Sequence, residues 1–223
     1  MTKNVFFHEK GRIMSTRRIN RLTVGLVVAL VLSGSACGGD DEPAAPEAAN
    51  GNGRSGARDV DRFLMRNGEQ PGFRPDGDAL TIVGVNAIAK YWELPRAAAQ
   101  QLRDRGFISF TSRRTLGRDA GGVSEVLLFR TPEGARDQMA YDLRASTIHA
   151  TLPETKIRRF TVRDVTGARG WTGSDLHGNP IGTVHWVQGR CMLLLVSEGD
   201  LPFVEVLSTG ARAIYERTGG DCP

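Results

Sequence analysis

The chain of 223 residues predicts a single α+β domain, an antiparallel sheet with helices packed on it. Two observations lead there. Residues 181–187 and 190–197 are two apolar runs joined at Gln188-Gly189, the clearest hairpin in the sequence. The elements run helices, then β, β, α, then β, β, β, α. Hairpins that return through helices favour an antiparallel sheet over a parallel one.

The first element is an address rather than part of the fold. Residues 22–32 are an apolar run of 11 residues, too short for the ~20 needed to span a bilayer. Arg17, Arg18 and Arg21 precede it, and Ser33-Gly34-Ser35-Ala36-Cys37 follows. A basic start, an apolar middle and a small-residue end make a secretory signal peptide. Residues 1–36 are therefore expected to be removed, and Met14 offers a second start with its own basic segment. Residues 38–58 hold almost no large apolar side chain and read as a solvated tether. The globular domain is expected over 59–223.

Residues 60–65 are a short apolar, helical segment, followed by turns at Asn67-Gly68 and Pro71-Gly72. Residues 80–85 predict a short strand. Ile88 and Trp92 share one face of a helix over 86–92. Pro95 opens a second helix over 96–105, with Ala98 and Leu102 inward and Gly106 as its stop. Residues 107–116 predict a strand, with Ile108 and Phe110 alternating against Ser109 and Thr111, and 123–130 a strand apolar enough to be central. Thr131-Pro132-Glu133 is a helix start: Thr caps free amides, Pro suits the first turn, and Glu favours the positive end of the dipole. That helix is expected to run to about residue 146, with Ala135, Met139 and Leu143 as its core stripe.

Residues 157–165 predict a strand with Phe160 and Val162 on one face, and 168–172 a short strand centred on Trp171. In the terminal hairpin, a two-residue loop at Gln188-Gly189 sets Trp186 opposite Cys191 and His185 opposite Met192. The last helix, 201–217, presents Phe203, Leu207, Ala211 and Ile214 at helical spacing.

Charge removes one function class. The whole chain carries +4, but residues 1–36 hold six Lys/Arg and one Glu. The remainder has 23 basic and 24 acidic residues, so it lacks the basic balance of a nucleic-acid binder, and no nucleic acid is expected as a partner. Of the three cysteines, Cys37 sits at the end of the signal peptide. Cys191 and Cys222 remain, and an oxidising compartment makes a disulfide between them the default. The other reading is a buried strand thiol at Cys191 and a frayed tail at Cys222.

Cys37, directly after Gly-Ser-Ala and before Gly38-Gly39-Asp40-Asp41, resembles the lipobox of bacterial lipoproteins. The usual leucine three places before the cysteine is Gly34 here. The resemblance implies that Cys37 becomes the lipid-modified first residue of a protein held on the outer face of the cytoplasmic membrane. The stretch 124–136, Ser-Glu-Val-Leu-Leu-Phe-Arg-Thr-Pro-Glu-Gly-Ala-Arg, together with Gly167-Ala-Arg-Gly-Trp and the terminal hairpin and helix, is similar to actinobacterial lipoproteins of unassigned function. The order of elements over about 58–217 is similar to the PsbP-like fold found in some of them. That resemblance implies an accessory or binding role and assigns no functional residue.

Chemistry is sparse. The loop 172–180 gathers Asp175, His177 and Asn179, with His185 on the following strand. Such a set suits a divalent metal or a base–orienter pair, although Gly, Asp, Asn and Pro also serve turn geometry there. There is no G-x-S-x-G, H-E-x-x-H, phosphate loop or metal-type cysteine spacing, so no cofactor or metal is expected. Trp92, Trp171 and Trp186 are candidates to line an apolar pocket, or else core residues. Arg158, Arg159 and Arg163, with Arg113 and Arg114, form small basic clusters fit for anionic headgroups or acidic polymers, or for a solvated sheet face. The leading expectation is a non-enzymatic lipoprotein that binds or supports an envelope component. A carrier of a lipid or other apolar ligand comes next, and a hydrolase or metal-dependent enzyme at 172–185 last.

Overall fold

The computed structural model describes residues 59–144, 157–175, 178–219 and 222. The signal peptide, Cys37, the tether and His177 lie outside them. Among the described residues, seven strands form one sheet in the order β1-β2-β3-β7-β6-β5-β4, every neighbouring pair antiparallel. The strands are β1 (Arg74–Val83), β2 (Phe107–Leu116), β3 (Gly121–Phe129), β4 (Arg158–Thr161), β5 (Arg169–Ser174), β6 (Pro180–Gln188) and β7 (Cys191–Glu198). The helices are α1 (Val85–Tyr91), α2 (Arg96–Asp104), α3 (Pro132–Asp142) and α4 (Phe203–Thr218), with a 3-10 turn at Asp59–Phe63. The sheet is open, and the α+β class read from the sequence holds.

Both sheet faces are covered, which explains why β3 is buried at all nine positions. The alternation of side chains sorts the core into two layers. One face carries Val126, Leu128, Leu193, Leu195, Val184 and Trp186 against Val206, Leu207, Ala211 and Ile214 of α4. The 3-10 turn adds Val60 and Phe63 to the same layer. The other face carries Phe110, Leu127, Phe129 and Met192 against Ile88, Ala98 and Leu102 of α1 and α2, and Ala135 of α3.

Several elements end where the sequence says they should. Thr131 Oγ1 accepts a hydrogen bond from Gly134 N (3.1 Å), capping α3 with Pro132 in its first turn. Gly219 closes α4 in the left-handed region at φ 66°. Gly134 has a second role: a Cβ there would lie 2.0 Å from the Arg105 carbonyl oxygen, so only glycine lets α3 dock beside the end of α2.

Four expectations change. β1 begins at Arg74, well before residue 80, and a bulge between Asp76 and Leu80 interrupts its pairing. β4 is four residues long rather than nine; Asp164, at φ 66°, turns the chain out of the extended region. The terminal hairpin turns at Gly189-Arg190, because Gln188 pairs with Cys191. Trp186 therefore faces Leu193 and His185 faces Leu194, a slip of two residues that keeps every side chain on its expected face. Gly189, at φ 52°, takes the first of the two turn positions rather than the second. In α3 the fully buried positions are Ala135, Gln138, Tyr141 and Asp142, while Met139 and Leu143 are only partly buried. The helix rolls its polar side chains onto the sheet because polar partners await them there.

The segment before β1 is fixed to the sheet by specific bonds. Met65 N donates to Ser124 Oγ (2.9 Å) and Gln70 Nε2 to Ser197 Oγ (2.8 Å). Arg217, in the last turn of α4, donates to both carboxylate oxygens of Glu69 and to the carbonyls of Arg62 and Leu64. Cys191 and Cys222 are joined by a disulfide with Cα atoms 5.7 Å apart, which ties the chain beyond α4 to the start of β7.

Candidate functional site

The sequence-predicted polar site does not assemble among the described residues. The Asp175 carboxylate closes its own loop, accepting hydrogen bonds from Asn179 N (2.8 Å) and Asn179 Nδ2 (2.9 Å). His185 lies at the far end of the hairpin, opposite Arg169. It lies five residue steps along β6 from Pro180 at the loop, roughly 17 Å of extended chain. His185 is 2% exposed, and its Nδ1 has no hydrogen-bond partner among the described residues. Burial holds its pKa down at about 3, so it is a neutral imidazole sealed inside the sheet layer. No group of three His, Cys, Asp or Glu side chains among the described residues has the arrangement of a metal site.

The three tryptophans are also separate. Trp92 packs edge-on against Phe110, ring centroids 4.9 Å apart. Trp171 belongs to a cluster with Val123, Ile181, Leu194 and Val196. Trp186 is fully buried in the α4 layer, on the opposite face of the sheet. They fill three parts of the core and line no common pocket.

A polar layer under α3 was not foreseen. Arg105 NH1 donates to Gln138 Oε1 (2.7 Å), and Gln138 Nε2 donates to Asp142 Oδ1 (2.9 Å). The Arg105 guanidinium also lies over the Tyr141 ring at 4.6 Å. On β3, Glu125 is 2% exposed and accepts from Ser112 Oγ (3.2 Å). Desolvation pushes Glu125 up to about 8, against the opposing Ser112 hydrogen bond and with added repulsion from Asp142. Desolvation likewise raises Asp142 to about 7, opposed by Gln138 and Arg105. The one sequence signal was Glu125 inside an otherwise apolar central strand.

This layer makes a pH prediction. In the unfolded chain Glu125 ionises near the ordinary glutamate value of 4.5, whereas in the folded protein it keeps its proton to about 8. Between those values the folded state binds more protons, so its contribution lowers stability as pH rises. Glu125→Gln, which cannot ionise, is expected to match the parent at pH 4 and to exceed it by about 4 kcal/mol at pH 8. Urea melts across that range check it; parallel stability curves for variant and parent would refute the assignment.

Among the described residues, an accessible groove of 610 Å³ lies where β4 and β5 meet the start of α4. Two glycines make room for it. Phe160 lies over Gly170, where a Cβ would come within 2.3 Å of the ring, and Phe203 lies over Gly182 at 2.8 Å. The two rings rest directly on strand backbone and form an apolar floor. Arg158, Arg159 and Arg212 line the groove with Thr172, Ser208, Val204 and Glu205. Arg158 and Arg159 came from a basic cluster visible in the sequence. Arg212, which joins them from α4, is separated by too much chain for spacing to reveal it.

No known family profile matches the chain, and no curated protein matches its sequence. Its fold is similar to the crystal structure of the extracellular domain of PknH from Mycobacterium tuberculosis. The two share a TM-score of 0.50 and 9% identity over 73% of this chain and 96% of that one. An uncharacterized protein from Mycobacterium smegmatis aligns with a TM-score of 0.37 and 9% identity over 69% of this chain and 90% of that one.

Proposed function

We propose that the protein is a non-enzymatic, lipid-anchored binding domain on the outer face of the cytoplasmic membrane, and that it engages an envelope component through the groove beside α4. The groove carries this reading, since it joins an apolar floor to charged walls at an accessible edge of the sheet. The signal-peptide pattern ending at Cys37 supports the location, as does the Cys191–Cys222 disulfide, a bond typical of oxidising compartments. The titratable groups with strongly displaced pKa values, Glu125, Asp142 and His185, are buried rather than presented to a substrate, which favours binding over catalysis. The Phe160 and Phe203 floor favours a second reading, a carrier of a lipid or other apolar ligand, seated here rather than among the tryptophans.

Two substitutions in intact cells test the proposal. A photo-crosslinking residue at Val204, in the groove wall, is expected to give a discrete adduct, and the same residue at Lys90 on α1 none. Cys37→Ser is expected to move the protein from the membrane to the soluble fraction and to lose that adduct. Equal labelling from Val204 and Lys90 would defeat the groove assignment, and unchanged membrane association of Cys37→Ser would defeat the anchor.

A further inference from the structure

We propose that this groove binds an anionic amphiphile, with an acidic head held by Arg158 and Arg212 and an apolar portion laid on Phe160, Phe203 and Val204. The inference rests on the binding role above and names the chemistry of the ligand.

Size, charge and surface each constrain the occupant. A volume of 610 Å³ falls among ligand sites of ~300–1,000 Å³, too large for a bare anion and suited to a molecule with a head and a short tail. The lining holds three arginines and one carboxylate, Glu205, so the groove is net positive. The three arginines are not equivalent. Arg159 donates NH1 to the Leu143 carbonyl (3.2 Å) and is turned toward the opposite face of the sheet. Arg158 and Arg212 pair with no carboxylate among the described residues; Arg212 NH2 makes a long contact to Thr209 Oγ1 (3.4 Å). Two guanidinium forks suit a phosphate or carboxylate head, with the Thr172 and Ser208 hydroxyls as neutral donors nearby.

The floor excludes a purely hydrophilic ligand. Phe160 and Phe203 are seated on glycine backbone, and Val204 stays 49% exposed at the mouth. A free inorganic anion leaves that surface uncovered and gains nothing from it, whereas an amphiphile removes it from water at roughly 25 cal/mol per Å². The β4 strand presents Arg158 and Phe160 two residues apart on one face, so head and tail are read by one short strand.

The test is calorimetric titration of the full-length protein with dioctanoyl phosphatidylglycerol below its micellar concentration. Dioctanoyl phosphatidylcholine and inorganic phosphate are titrated in parallel. The anionic lipid is expected to bind at least about tenfold more tightly than either comparator. Arg158→Ala and Arg212→Ala are each expected to weaken it about fivefold or more, and Arg96→Ala, exposed at the start of α2, to leave it unchanged. These positions lie outside the core, and thermal melts confirm that the variants fold. Equal affinity for both lipids would overturn the acidic head, phosphate binding as tightly as the lipid would overturn the apolar portion, and insensitivity to Arg158 and Arg212 would overturn the site. If Val204 crosslinks in cells while the anionic lipid fails to bind, the ligand class is wrong and the binding role stands.

Discussion

Cys222→Ser is expected to lower the free energy of unfolding by about 4 kcal/mol. The disulfide closes a loop of 31 residues that spans β7, α4 and the chain after it. Loop-closure entropy in the unfolded chain then amounts to about 4 kcal/mol. The folded state loses little in exchange, because Cys191 remains a buried thiol in the α4 layer, where a small apolar side chain is at home. Denaturant melts with and without reductant measure it. The parent should fall to the level of the variant when reduced, and the variant should not respond to reductant. A parent indifferent to reduction would mean that the crosslink constrains nothing beyond what α4 packing already does.

Arg217→Ala is expected to cost about 3 kcal/mol, far above the usual surface ion pair. Its partner Glu69 is only 13% exposed, and the same guanidinium serves the carbonyls of Arg62 and Leu64. Removing it leaves a half-sealed carboxylate still accepting from Arg66 N (2.6 Å), and strips two backbone acceptors of their donor at once. The damage should be local. Hydrogen exchange is expected to rise over 60–73, the segment that Arg217 fastens, while β3 and β7 keep their protection. Arg217→Lys, a point charge without the fork, should recover only part of the loss. Uniform loosening of the whole sheet would show that the segment is not a separately fastened unit.

The sequence was most informative where one local rule acts alone. Thr131-Pro132 marked the start of α3 because capping is decided within four residues. Phe203, Leu207, Ala211 and Ile214 marked the inner face of α4 because that helix packs on apolar strands. It was least informative where partners lie far along the chain. The inward roll of α3 follows from Glu125 and Arg105, which no periodicity within α3 contains. Arg217 and Glu69 are separated by 148 residues, and Arg158 meets Arg212 only through the sheet. The groove had one visible half, the arginines of β4. Its other half depends on Gly170 and Gly182, whose missing side chains signal nothing until the rings that fill the space are placed.

The pairing of β3 with β7 has a kinetic consequence. It is the central seam of the sheet, yet Leu128 pairs with Cys191 and Gly121 with Glu198, partners roughly 60–80 residues apart. A ribosome or translocation channel delivers β1, β2 and β3 first, with the β7-facing edge of β3 unpaired until the last strand emerges. At ~5–20 residues per second, that edge stays open for several seconds. The nascent first half is thus a sticky three-stranded intermediate, and the most hazardous moment in the life of this protein comes before it is complete.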